Sequence, residues 1–124
     1  MIVWEEIQKF CASVGVPEPV LGENSVAVVE FESVGELFID VSEKDSVYMY
    51  LFSDRPRLTP KEVLRTLQSC DPSRQIGRTP VHFVADEKGR VGFLVILPAS
   101  DCYAAAVTNA FNQVLQLLLR LIQL

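Results

Sequence analysis

The chain of 124 residues is long enough for one domain with a sizeable core, and its 49% hydrophobic and 22% charged residues are typical of a globular protein. Its formal net charge of −5 argues against nucleic-acid binding, which needs a basic surface to neutralise phosphates. The cysteines Cys11, Cys70 and Cys102 have no paired spacing, so they predict neither a disulfide nor a zinc site. The sequence has neither an apolar run of membrane-spanning length nor the basic start of a signal peptide, so we expect a cytoplasmic protein.

Charge is distributed unevenly along the chain. Residues 1–54 carry a net charge of −9 from eleven acidic and two basic residues, whereas residues 55–124 carry +4 from five acidic and nine basic residues. Such asymmetry suits either contact between subunits or two separate solvated surfaces. A basic cluster follows the third predicted strand and consists of Arg55, Arg57, Lys61, Arg65, Arg74 and Arg78. It could pair with acidic residues of another chain or bind an anionic ligand, but a solvated face beside short polar loops is the interpretation that we favour.

The first predicted element is an amphipathic helix over residues 2–14. Its apolar side chains recur at helical spacing and are Val3, Ile7, Phe10, Cys11 and Val14. Gly15 is well placed to end this helix, because glycine adopts the left-handed conformation that a helix C-cap uses. Pro17 and Pro19 then prevent the helix from resuming.

Residues 25–53 predict a meander of three antiparallel strands, at residues 26–31, 36–41 and 47–52. These segments are rich in β-branched and aromatic residues, and the connections between them are short and polar. Alternation along the second and third strands places apolar side chains on one face of the sheet. That face is the predicted core.

The opposite face of the meander is unusually aromatic. Tyr48, Tyr50 and Phe52 share it on the third strand, and Phe38 lies on it in the second. A sheet face in contact with water does not need such side chains. We therefore expect the helices of the chain, a second subunit or a bound partner to cover it.

A short middle helix is predicted over residues 59–70. Thr59 suits the N-cap, Pro60 the first helical position and Glu62 the reciprocal capping position. The apolar stripe of this helix consists of Val63, Leu64 and Leu67. A helix of this length needs packing against other elements to be stable.

The remaining elements are a hairpin of strands 81–85 and 91–97 and a final helix. Gly89 suits the turn of the hairpin, and the fifth strand is apolar on both faces, so it should lie in the interior of the sheet. The final helix is predicted to run from about Cys102 to the chain end, with Ser100 or Asp101 as its cap. The sequence thus predicts one α+β domain over residues 1–124, in the order α-β-β-β-α-β-β-α, with a mainly antiparallel twisted sheet flanked by helices.

No pattern in the sequence indicates catalysis. His82 is the only histidine, and no spacing supports a pair between it and a cysteine. Phosphate loops, dinucleotide fingerprints and metal-ligand pairs at helical spacing do not occur in the sequence. We therefore expect a protein that is not an enzyme and needs neither cofactor nor metal.

The element order, together with two sequence segments, resembles the class I chaperones of bacterial type III secretion, the CesT/SycE-like family. The opening WEEIQKFCASVGVP is similar to the FC-x-x-LGVP ending of the first helix in the SycN-like branch, with Val14 where that branch has leucine. The carboxyl-terminal AFNQVLQLLLRL is similar to the leucine-rich last helix of that branch. The resemblance covers nearly the whole chain.

This resemblance implies a cytoplasmic bacterial protein that forms a dimer and keeps a secreted effector or gatekeeper protein soluble and competent for export. The middle helix would lie at the subunit interface, which assigns Val63, Leu64 and Leu67 to that contact. The partner subunit would be a second copy or an unlike small chaperone. The client would bind as an extended segment near the residues Phe38, Tyr48, Tyr50 and Phe52.

Two other functions suit a small sheet with flanking helices. A profilin-like or roadblock-like adaptor would bind a folded partner instead of an extended segment. A PAS-like sensor would hold a small ligand between sheet and helices. Copurification with an unfolded segment, a folded subunit or a small molecule separates the three.

Overall fold

The computed structural model describes residues 2–16, 19–32, 34–53, 59, 61, 64–65, 80–87 and 89–122. The described elements are two α-helices, five strands and one short 3-10 helix. We number them in chain order as α1 (Ile2–Ser13), β1 (Val26–Phe31), β2 (Gly35–Asp40), β3 (Ser46–Ser53), β4 (Val81–Ala85), β5 (Val91–Pro98), the 3-10 helix Ala99–Asp101, and α2 (Ala104–Ile122). The predicted α+β class is confirmed.

The five strands form one antiparallel sheet in the order β1-β2-β3-β5-β4. Strands β1, β2 and β3 are the predicted meander, and β5 pairs with both β3 and β4. The interior position that we predicted for the fifth strand from its two apolar faces is therefore confirmed. Strands β1 and β4 form the two edges of the sheet.

Both described helices contribute to the core on one face of the sheet. Helix α2 contacts β3, β5 and α1, and Phe10 of α1 meets Phe111 of α2 with ring centroids 5.2 Å apart. The fully buried residues include Ile39, Met49 and Val95, which lie side by side on this face. Burying such apolar side chains stabilises the fold by about 1.5 to 3 kcal/mol for each large one.

Helix α1 ends as its sequence predicts. Gly15 has a φ of 77°, and its N–H donates to the carbonyl of Ala12. The N–H of Val16 donates to the carbonyl of Cys11, which completes the paired bonds of a Schellman motif. The hairpin turn before β5 likewise contains Gly89 with a φ of 80°, as we predicted.

The final helix begins later than predicted. Residues Ala99–Asp101 form a separate 3-10 turn, and Cys102 leaves helical conformation with ψ at 72°. The side chain of Cys102 is buried, so the chain turns inward at this point before α2 starts at Ala104. Ser100 and Asp101 are therefore not its caps, because the first bond of this helix runs from the N–H of Val107 to the carbonyl of Tyr103.

Most of the predicted middle helix lies outside the described residues, including Val63 and Leu67. Of residues 59–70 the structure describes Thr59, Lys61, Leu64 and Arg65, and all four are exposed. Leu64 is 58% exposed. Among the described helices, none is long and apolar enough to cross a membrane.

Candidate interaction surface

The sheet has a second face that points away from the core, which we call the outer face. Side chains of both helices join those of the inner sheet face in one hydrophobic cluster, and no outer-face side chain belongs to it. The apolar residues of the outer face are Val26, Val28, Phe38, Tyr48, Tyr50, Phe52, Val84, Leu94 and Ile96. Neither described helix therefore covers this face.

Four aromatic rings at the centre of the outer face form a connected array. Tyr50 stacks on Phe52 with centroids 6.2 Å apart and planes 3° from parallel, and Tyr48 lies 6.4 Å from Tyr50. Phe38 meets Phe52 edge to face at 5.8 Å. All four side chains are half-buried. Neighbouring rings thus hold one another in place while their free sides face outward.

Arg90 closes one end of the aromatic array. Its guanidinium lies 5.5 Å from the centroid of Phe52, and its Nε donates to Oδ2 of Asp86 at 2.7 Å. A second guanidinium nitrogen donates to the carboxylate of Glu36, on the far side of Phe52. Gly92, which lies opposite Phe52, has no side chain to block this path. Arg90 therefore ties β2 to the start of β5 across the face of a ring.

The electrostatics of the outer face follow from this arrangement. Hydrogen bonds to Asp86 and Glu36 raise the pKa of Arg90, so its charge is fixed at every physiological pH. Burial, with the nearby carboxylate of Asp40 and the ring of Tyr48, raises the pKa of Tyr50. Tyr50 therefore remains a neutral hydroxyl at physiological pH, available as a hydrogen-bond donor at the surface.

The described cysteines do not form a nucleophilic site. Burial raises the pKa of both Cys11 and Cys102, which keeps these thiols protonated and poorly nucleophilic. His82 is exposed and lies on the outer face opposite Leu94, whereas both thiols belong to the core. Within the described part of the chain, no cluster of His, Cys, Asp and Glu is suited to hold a metal ion.

The structure brings together the four residues that the sequence assigned to partner binding. Phe38 is directly opposite Tyr50 in the sheet, and Tyr48 and Phe52 flank Tyr50 along β3. Alternation along the second strand places Glu36 on the same face as Phe38, but sequence reasoning did not identify Arg90, or its pairing with Glu36, as part of the surface. They are 54 residues apart in the chain, and nothing in the local sequence indicates that they meet. The apolar outer face of β5 was the available signal that the surface extends beyond β3.

Similarity to known proteins is found in the fold of the chain. No family model and no curated protein matches the sequence. Among solved structures, the chain is similar to the Yersinia pestis type III secretion chaperone SycH, solved in complex with a stable fragment of YscM2. The TM-score is 0.71 at 11% identity, over 96% of this chain and 98% of the other.

A chain of the HopA1–SchA chaperone–effector complex is also similar. Its TM-score is 0.76 at 11% identity, over 99% of this chain and 95% of the other. Both matches extend over almost the full length of each chain. The fold expected from the family resemblance is therefore confirmed: this chain has the fold of type III secretion chaperones.

Proposed function

We propose that this protein is a cytoplasmic chaperone that binds an extended, export-proximal segment of a type III secreted effector or gatekeeper protein and keeps it competent for secretion. The observation that carries the proposal is the outer face, where aromatic side chains are held in a connected array that neither described helix covers. The similarity of the fold to chaperones solved with bound protein fragments or effectors supports it. This role needs no cofactor and no catalytic residue.

The outer face suits an extended segment better than a small ligand. Its apolar side chains are distributed along all five strands and do not surround one closed cavity. One part of an extended client can lie across Phe38, Tyr48, Tyr50 and Phe52, and another part can pair its backbone with a sheet edge, because β3 is the central strand and lies two strands away from each edge strand. Large aromatic side chains contribute most of the energy at surfaces of this kind.

The second part of the proposal is that the functional unit is a dimer with Val63, Leu64 and Leu67 in the contact. The exposure of Leu64 supports this dimer, because a leucine side chain that is 58% exposed in the single chain becomes buried if a second subunit packs against it. The similarity of WEEIQKFCASVGVP to the SycN-like branch favours an unlike small chaperone as the second subunit. A second copy of the chain is the alternative.

Copurification tests this function against the two alternatives. The protein is isolated from its own organism and the bound material is identified by mass spectrometry and limited proteolysis. We expect a protease-sensitive segment of a secreted protein, because an extended client keeps its backbone accessible outside the contact. A folded, protease-resistant partner recovered without any extended segment would favour the adaptor, and a small molecule recovered without one would favour the sensor. Either result would overturn the chaperone proposal, whereas a folded second chaperone recovered together with the segment is the expected dimer.

A further inference from the structure

The outer edge of β1 has backbone groups that can be identified individually. In an antiparallel pair, every second residue exchanges hydrogen bonds with the neighbouring strand, and the residues between direct their N–H and C=O groups the other way. The N–H of Val41 donates to the carbonyl of Ser25, one step beyond the pair formed by Val26 and Asp40. Ala27 and Val29 therefore bond to β2, whereas Val26, Val28 and Glu30 direct their backbone groups outward.

Only part of this edge is occupied by the described chain. The N–H of Gly22 donates to the outward carbonyl of Val26 at 3.1 Å, so the loop before β1 closes the beginning of the edge. No backbone hydrogen bond within the described residues reaches the outward groups of Val28 and Glu30. Val28 is also 50% exposed, and Glu30 is exposed. The described part of the chain therefore leaves this stretch of edge open to a further strand.

The side chains beside the open edge form two rows that differ in chemistry. Val28 continues an apolar row through Phe38, Tyr50 and Leu94. Glu30 lies directly opposite Glu36, which places two like charges side by side. Arg90 pairs with Glu36 from the other direction, and no basic side chain of the described residues pairs with Glu30. The row that contains Glu36 and Glu30 therefore ends at the open edge with the negative charge of Glu30.

We propose that the client segment adds to the outer edge of β1 with an apolar side chain beside Val28 and a basic side chain, lysine or arginine, beside Glu30. The two client residues are two positions apart, because a strand places every second side chain on the same face. The proposal rests on the chaperone function proposed above and specifies its client. The open backbone groups bind any strand, and Glu30 selects the basic one.

The edge of β4 has different chemistry. The N–H of Asp86 donates to the carbonyl of Arg90, so Asp86 and every second residue before it on β4 bond to β5. The residues between them direct their backbone groups outward, and their side chains point toward the core. Its outer-face side chains are those of His82 and Val84, and neither is acidic. A strand added there would meet no carboxylate equivalent to Glu30. Charge selection therefore distinguishes the two edges.

The test uses synthetic peptides of alternating valine and threonine. The peptides differ at a single position, two residues from a central valine, where they carry lysine, glutamine or glutamate. Binding to the wild-type protein is measured by fluorescence anisotropy at low salt. We expect the lysine peptide to bind about two- to fivefold more tightly than the glutamine peptide, and the glutamate peptide to bind most weakly. Glu30→Lys should reverse this order, Glu30→Gln should abolish it, and added salt should weaken it.

Amide exchange on the same complexes locates the added strand. The N–H groups of Val28 and Glu30 should gain protection, whereas those of Ala27 and Val29, already bonded to β2, should change little. Protection on β4 instead, or binding at β1 without a charge preference, would overturn this inference and leave the chaperone function in place. If no peptide binds and no exchange rate changes, both this inference and the proposed binding of extended segments are contradicted.

Discussion

At the scale of single residues, Arg90 is the side chain that connects most groups of the outer face. It bonds to the carboxylates of Asp86 and Glu36 and lies against the ring of Phe52. All three charged side chains retain some exposure to water, which limits what each ion pair contributes. The pair with Glu36 still stabilises the sheet, because the positive charge of Arg90 offsets the repulsion between the carboxylates of Glu36 and Glu30.

A double-mutant cycle measures the interaction of Arg90 with Glu36. We expect Arg90→Gln and Glu36→Gln each to lower the free energy of unfolding. The double variant should lose less of this free energy than the sum of the two single losses, by about 0.5 to 1 kcal/mol. Urea unfolding of the four proteins gives the value. Costs that simply add would show that the contact does not stabilise the fold.

Tyr50 is the residue whose removal should affect client binding most clearly, because it lies in the middle of the array between Tyr48 and Phe52. Tyr50→Ala should weaken binding of the client segment by about 1 to 3 kcal/mol, a roughly tenfold to hundredfold loss of affinity. Isothermal titration on a variant with unchanged circular dichroism measures it.

His82→Ala is the matched control, because His82 lies in the same row of the sheet as Tyr50 but on the far edge strand. We expect it to leave the affinity almost unchanged. Equal losses for the two variants would mean that the client does not lie preferentially on the aromatic array.

At the scale of the elements, the sequence predicted those whose signals are local. The Gly15 cap, the Gly89 turn and the alternation of β2 and β3 depend on residues that are neighbours in the chain, and all are confirmed. The start of α2 was predicted wrongly, because the burial of Cys102 is a tertiary effect that capping preferences do not include. The pairing of Arg90 with Glu36 was missed for the same reason, since it depends on β5 being beside β3.

The middle helix gives a prediction about subunit contact. Leu64→Asp should dissociate the proposed dimer into folded subunits, because an aspartate in an apolar contact buries a charge without a partner. We expect association to weaken by several kcal/mol, on the order of a hundredfold or more in the dissociation constant. Analytical ultracentrifugation over a range of concentrations measures this.

Val20→Asp provides the comparison, since Val20 is 83% exposed and lies in the loop between α1 and β1. This variant should keep the association of the wild type. Loss of folding in Leu64→Asp at every concentration would instead assign Leu64 to the core of its own chain.

At the scale of the whole molecule, the described residues carry exposed apolar surface on the outer face and at Leu64. A single domain of this size seldom leaves both uncovered in water. The uneven charge of the chain, acidic in its first part and basic in its second, suits contacts between subunits or with a charged partner.

The isolated chain should therefore not behave as a stable monomer. Light scattering at micromolar concentration should give at least twice the 13.9 kDa of one chain, or show aggregation that an unlike partner chaperone relieves. A uniform species of the monomer mass that unfolds cooperatively would contradict this expectation and exclude a stable dimer of like subunits.

Amide exchange on a complex with the unfolded export-proximal segment of a candidate secreted protein tests the chaperone function most directly. If the segment binds in extended form, protection should appear in the segment and in an edge strand of the sheet together, because an added strand pairs backbone groups that were open. The segment should remain without a folded core of its own. Protection of a compact patch by a partner that stays folded, or no binding by the chain alone or with its partner chaperone, would contradict the proposal.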